Sequence, residues 1–177
     1  IKTKFFAKKI LKILDEHPRL GILAPSSKIW GERKLLLKNK IKYSWYIQNS
    51  AYIFRNELIK DIMSLDKPNY KNFLFDGSNF RGWGAISEVI AKAYNNDWAA
   101  GITKELWTEE NETYLKKMHK QIKTESYEKN YQLVINETNK WMKKKFGFSN
   151  KWSMQMYVKT FYDRFFMYNP EYTKYKL

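Results

Sequence analysis

The first hundred residues alternate between amphipathic helical patterns and short apolar segments. From Thr3 to Glu16 apolar residues recur at helical spacing and lysines occupy the opposite side, which predicts an amphipathic helix. Pro18 ends this pattern, and the apolar run from Leu20 to Ala24 has the length and boundaries of a buried strand. A helix, a turn and a buried strand in this order indicate an α/β protein.

The same alternation continues to about residue 102. Asn56 is a residue type that caps helices, and it stands directly before a short helical pattern. The predicted elements are a loop over 25–42 with a short helix near 33–37, one or two strands within 43–54 with 51–54 as the buried part, a helix over 57–65, a helix over 83–94 and a strand over 98–102.

Helical patterns replace this alternation after about residue 105. The acidic residues in Thr108-Glu109-Glu110 favour a helix N-terminus, and two further helices are predicted over 127–145 and 150–167. We therefore predict an α/β part with few short strands over residues 1–105, followed by a helical, basic and aromatic region over residues 106–177.

Composition narrows the class of protein and of partner. Hydrophobic residues make up 44% of the 177 residues, which is too much apolar surface for a disordered chain. The 33 basic and 18 acidic residues give a net charge of +15, which attracts phosphate groups on nucleic acids, lipids or nucleotide sugars. Cysteine is absent, which excludes a disulfide framework and thiolate metal ligands and is compatible with a reducing compartment.

Several well-known catalytic motifs are missing from the sequence. It contains no phosphate-binding loop ending in Lys-Ser or Lys-Thr, no dinucleotide-binding glycine pattern and no nucleophile-elbow serine. With only His17 and His119, a site built from several histidines is excluded. These absences remove the common hydrolase and metalloenzyme classes.

The long segment over 66–84 is the leading candidate site, because loops of this length within a compact domain tend to carry function. It holds Asp76, Arg81 and Trp83 among glycines, before a predicted helix that carries Glu88. A carboxylate can act as a base or hold a cation, a guanidinium pairs with phosphate, and an indole stacks on a sugar. The alternative is structural: an Asx turn at Asp76, a solvated Arg81, a core Trp83 and a solvated Glu88.

Ser26 and Ser27 are further candidates for substrate binding. They follow the first predicted strand, and α/β folds place ligands at the carboxyl ends of strands. The alternative is that they belong to an ordinary connecting turn.

Three blocks of this sequence resemble the rhamnan synthesis protein F family of bacterial polysaccharide glycosyltransferases. The blocks are Asp15-Glu16-His17-Pro18-Arg19-Leu20-Gly21-Ile22-Leu23-Ala24-Pro25, then Asn49 to Ile59, and then Phe75-Asp76-Gly77-Ser78 followed by Ala85 to Ala91 and Ala100-Gly101. The resemblance covers residues 5 to about 102. It implies the later half of an A-type glycosyltransferase domain, which moves a sugar from a nucleotide-sugar donor to a growing cell-surface polysaccharide.

The resemblance also implies site residues and a cofactor. Asp76 and Glu88 match the acidic positions of the third block, so Asp76 is expected to be the base that deprotonates the acceptor hydroxyl. A divalent cation, Mg²⁺ or Mn²⁺, is expected only through an upstream half, because the Asp-x-Asp metal motif of the A-type fold does not occur in this chain. That half would lie before Ile1.

Two other classes of function remain open from the sequence. Interleaved lysines and aromatics in the C-terminal region also suit a nucleic-acid-binding module, whose affinity would fall steeply with salt. The same surface suits a non-catalytic domain that binds partners or an anionic membrane. No apolar run is long enough to span a bilayer, which favours a cytoplasmic location, at the inner face of the cell membrane if the basic surface binds lipid.

Overall fold

The protein is a mixed α/β fold, seen here in a computed structural model that describes residues 3–27, 40–47, 51–63, 74–79, 84–109 and 127–177, apart from the side chains of Tyr127 and Asn130. In chain order the elements are α1 (Phe6–Glu16), β1 (Leu20–Ser27), β2 (Ile41–Tyr43), β3 (Ile53–Phe54), α2 (Asn56–Ile62), α3 (Ala85–Asn95), β4 (Ala99–Thr108), α4 (Tyr127–Phe146), α5 (Lys151–Tyr168) and a short 3₁₀ helix (Pro170–Tyr175). The predicted α/β class is therefore confirmed.

The four strands form one small mixed sheet in the order β2-β4-β1-β3. β1 and β4 are parallel neighbours at its centre, while β2 and β3 pair antiparallel on the two sides. Every residue of β1 is buried, as expected for a central strand covered on both faces. The run from Leu20 to Ala24 is thus a buried strand, as predicted.

β1 extends three residues beyond its predicted end, through Pro25 to Ser27. Pro25 was expected to stop the strand because it has no N–H to donate. The ladder between β1 and β4 instead shifts register between Pro25 and Ser26, the kind of irregularity at which sheets tolerate proline. The predicted loop over 25–42 is therefore wrong at both ends, because β2 begins at Ile41; the predicted helix near 33–37 lies outside the described residues.

Three smaller predictions also need correction. The N-cap of α2 is Arg55, not Asn56, and its guanidinium donates to the backbone carbonyls of Leu14 at 2.6 Å and Leu20 at 3.1 Å. Residues 51–54 are half-buried, because β3 lies at one side of the sheet. Thr108 does not begin a helix: β4 continues through it, paired with the end of β1.

One hydrophobic core joins the sheet to helices from both predicted regions. Nearly all of α3 is buried, and α5 contributes side chains to the same cluster of buried residues, namely Val158, Tyr162, Phe165 and Phe166. The chain end is attached here as well, since the Leu177 N–H donates to the Tyr43 carbonyl at 3.1 Å. The helical C-terminal segment is thus part of the packing that holds the sheet.

Within the described segments, every helix is too short or too polar to cross a membrane.

Candidate functional site

Asp76 lies in a tight turn that uses both of its carboxylate oxygens. Oδ1 accepts hydrogen bonds from the Ser78 N–H at 2.9 Å and the Ser78 hydroxyl at 2.6 Å. The Asn79 N–H donates to the Asp76 carbonyl at 3.1 Å. This is the Asx turn that Asp, Gly and Ser favour, so the structural alternative for Asp76 is confirmed as its local geometry.

The second oxygen of Asp76 faces helix α4. Oδ2 accepts from Lys145 Nζ at 2.6 Å and from the Trp141 indole N–H at 3.1 Å. Trp141 and Lys145 are four residues apart, so the helix places them on one face, and the ammonium lies 5.6 Å from the centre of the indole ring. A single carboxylate therefore joins the 74–79 segment to α4.

Glu88 completes the group from the first turns of α3. Lys145 Nζ lies 3.0 Å from both Glu88 oxygens, and Lys92, one turn further along α3, lies 2.9 Å from Oε1. The Asp76 and Glu88 side chains are only 7% exposed, whereas Lys145 is 31% exposed. We call Asp76, Glu88 and Lys145 the acid–lysine–acid cluster.

Local packing explains why α4 approaches this point. Gly84 precedes α3 with φ of 86°, a conformation that costs glycine little, and a Cβ there would lie 3.6 Å from the Trp141 ring. Trp141 also packs with Met142 and Met154 in a second small hydrophobic cluster between α4 and α5. The apolar side of α4 thus fixes the position of its lysines.

The cluster shifts the proton affinity of its members. Burial raises the pKa of the Asp76 carboxyl, but hydrogen bonds from Lys145, Ser78 and Trp141 outweigh burial and hold that pKa well below its usual range. Burial lowers the pKa of Lys145, but its hydrogen bonds to Asp76 and Glu88 raise it above the ordinary value. Asp76 and Lys145 are therefore an ion pair at neutral pH.

An open groove of about 670 Å³ lies beside the cluster. Asp76 and Ser78 line one side, and α4 lines the other with Glu137, Lys140, Trp141, Lys144 and Lys145. The volume suits a small organic ligand. Three lysines against two carboxylates make the lining basic, which suits an anion.

The structure also tests whether the acidic residues fit the divalent cation that the resemblance implies. Among the residues that the structure describes, no group of three or more His, Asp or Glu side chains is placed to hold a metal ion. Asp76 and Glu88 are bridged by the Lys145 ammonium, which fills the place that a metal between them would take. These carboxylates do not fit a metal site.

The predicted site residues divide into three groups. Asp76 and Glu88, which are twelve positions apart in the chain, are brought together by Lys145. Ser26 and Ser27 lie elsewhere, as the last two residues of β1, where the Ser26 hydroxyl donates to the Leu106 carbonyl at 3.3 Å. Arg81 and Trp83 lie outside the described residues.

The α4 residues of the site were missed by the sequence analysis, which treated Lys143 to Lys145 as one solvated basic face. Lys145 contacts Asp76 and Glu88 from 69 and 57 positions away, and such pairings leave no local signal. The spacing of Trp141 and Lys145 was the one available indication, because a tryptophan on the apolar side fixes the inward face of the helix.

In comparisons with known proteins, the chain matches no protein-family model, no curated protein and no solved structure.

Proposed function

We propose that this chain is part of a glycosyltransferase and that the groove beside the acid–lysine–acid cluster binds the phosphorylated end of a nucleotide-sugar donor. The observation that carries the proposal is the groove itself, in which a basic helix face lies opposite a carboxylate-bearing turn. The acceptor would be a growing cell-surface polysaccharide, as the family resemblance implies.

Lys140 and Lys144 are the proposed phosphate ligands. They are one helical turn apart on the same side of α4, and both line the groove. Two ammonium groups at this spacing suit the oxygens of a diphosphate, since charge-assisted hydrogen bonds are the strong ones. Asp76 and Ser78 on the opposite side supply acceptor and hydroxyl groups of the kind that orient a sugar.

Asp76 suits a positioning role better than the role of general base. Its oxygens accept four hydrogen bonds, and its low pKa makes it a weak proton acceptor at neutral pH. An acceptor hydroxyl would have to displace Lys145 or Trp141 to reach Oδ2. We therefore assign Asp76 and Glu88 to holding Lys145 and the α4 face in place.

Isothermal titration calorimetry with UDP-glucose, GDP-mannose and dTDP-rhamnose tests the proposal. At least one donor should bind, and Lys144→Ala should weaken its binding about tenfold, the value of one charge-assisted phosphate contact. Lys143→Ala is the matched control, because Lys143 is the adjacent exposed lysine of the same helix and does not line the groove. Equal effects of the two variants, or no binding of any donor, would contradict the assignment.

The same titration separates the nucleic-acid alternative. A single-stranded oligonucleotide that binds more tightly than every sugar nucleotide, with affinity falling steeply between 50 and 200 mM salt, would replace sugar transfer by nucleic-acid binding.

A further inference from the structure

Helix α1 has a second apolar face that the core does not use. Ile13 points into the core and is 4% exposed, whereas Phe5, Phe6 and Leu11 are 81%, 48% and 63% exposed. Two exposed phenylalanines and a leucine within seven residues form a contiguous apolar patch, unlike apolar side chains scattered singly over a surface. We call these three side chains the α1 apolar patch.

The charges around this patch are all of one sign. The exposed lysines at its sides are Lys4, Lys8, Lys9 and Lys12. Acidic residues appear only at the far end of the helix, where Lys12 lies 3.7 Å from Glu16. The end that carries the phenylalanines is therefore also the positively charged end.

The backbone at Phe5 is strained without any compensation from its side chain. Phe5 has φ of 54° and ψ of 36°, a left-handed conformation that is unusual for a bulky residue. Its ring is the most exposed large apolar side chain in the described residues, so no packing of that ring within the chain offsets the strain. Strain of this kind concentrates at functional positions.

We infer that α1 docks this protein on an anionic phospholipid surface, with the α1 apolar patch inserted at the boundary between headgroups and acyl chains. Phenylalanine and leucine on one side with lysines at the flanks is the arrangement of helices that lie in the membrane interface. The lysines would contact lipid phosphates, whose attraction acts over about one Debye length, roughly 10 Å at 0.1 M salt. None of these residues lines the groove, so this inference is independent of the proposed sugar transfer.

Vesicle co-sedimentation of the whole chain tests the inference. With vesicles of phosphatidylglycerol and phosphatidylcholine, the protein should sediment, and it should stay in solution with phosphatidylcholine alone. The variant Phe5→Ser, Phe6→Ser, Leu11→Ser should bind the anionic vesicles about tenfold or more weakly, because the inserted apolar area is removed while every lysine remains.

The matched control removes an equally exposed apolar set from α5, by Trp152→Ser, Met167→Ser and Tyr168→Ser, whose side chains are 72%, 78% and 74% exposed. This control should bind like the unaltered chain. Circular dichroism establishes that both variants are folded. Absence of binding to anionic vesicles would overturn the inference, as would a control that loses as much affinity as the α1 variant.

Discussion

Replacing Lys145 by Met gives the sharpest test of the acid–lysine–acid cluster. Methionine keeps most of the length and apolar stem of lysine but removes the ammonium that contacts Asp76 at 2.6 Å and Glu88 at 3.0 Å. Asp76 then retains Ser78 and Trp141 as donors, and Glu88 retains Lys92. Two nearby carboxylates, each 7% exposed, are left without the cation between them.

The expected loss of stability follows from burial and screening. Removing one partner of a fully buried ion pair costs about 3–5 kcal/mol, because the other charge stays buried without compensation. Lys145 is 31% exposed, so solvent screens part of its interaction. We therefore expect a loss of about 2 kcal/mol at pH 7, between the values for buried and surface pairs.

The loss should depend on pH in a defined direction. The folded-state pKa of Asp76 lies below its unfolded value of about 3.9. Asp76 therefore contributes stability that is fully present above pH 4 and is lost as the pH falls toward the folded pKa. Without Lys145 this folded pKa moves up, so the difference between the unaltered chain and Lys145→Met should narrow below about pH 4.

Urea unfolding followed by tryptophan fluorescence, from pH 7 down to pH 3, measures both effects. Lys143→Met is the control, because it removes an exposed lysine two residues away, and it should cost no more than about 0.5 kcal/mol. Asp76→Asn together with Lys145→Met should cost less than the two single changes added, with coupling of about 1 kcal/mol or more. A Lys145→Met loss equal to the control, or one unchanged across this pH range, would refute the reasoning.

Two further predictions concern the sheet and its surroundings. Burial lowers the pKa of His17, whose Nδ1 lies 3.2 Å from the Tyr43 hydroxyl, so stability should be full above about pH 6.5 and fall as the pH drops below it; His17→Gln should remove this dependence in urea titrations between pH 8 and 5. Gly21→Ala would place a Cβ 2.9 Å and 3.1 Å from two atoms of Leu58, so we expect a loss of about 1–3 kcal/mol by overpacking, and an unchanged melting temperature would show that the sheet and α2 separate freely.

Elements with strong periodicity were predicted well because their signals are local. The pattern of Phe6 to Glu16 and the apolar run from Leu20 both correspond to observed elements. The end of β1 was missed because proline is a general strand breaker, and only its partner strand reveals the register shift that accommodates Pro25. At Thr108, pairing with β1 overrides the local preference of the following acidic residues for a helix start.

The candidate site shows the same division between local and distant information. The turn at Asp76 follows from Asp, Gly and Ser in sequence, and the local signal identified it as a candidate. Its chemistry depends on Lys145, whose placement comes from the packing of Trp141 among Met142 and Met154. Sequence reasoning therefore located a carboxylate but missed the cation that sets its charge state.

The position of α5 in the core has a consequence for how the protein is made. β1 leaves the ribosome early, yet its apolar cover includes Tyr162 and Phe165, and the Tyr162 hydroxyl accepts from the Leu177 N–H at 2.9 Å. Until the chain has emerged as far as Leu177, a fully apolar strand stays partly uncovered, which exposes the nascent chain to aggregation. Synthesis of this protein should therefore depend on chaperones that shield apolar segments, and slow translation of the last twenty codons should lower its soluble yield.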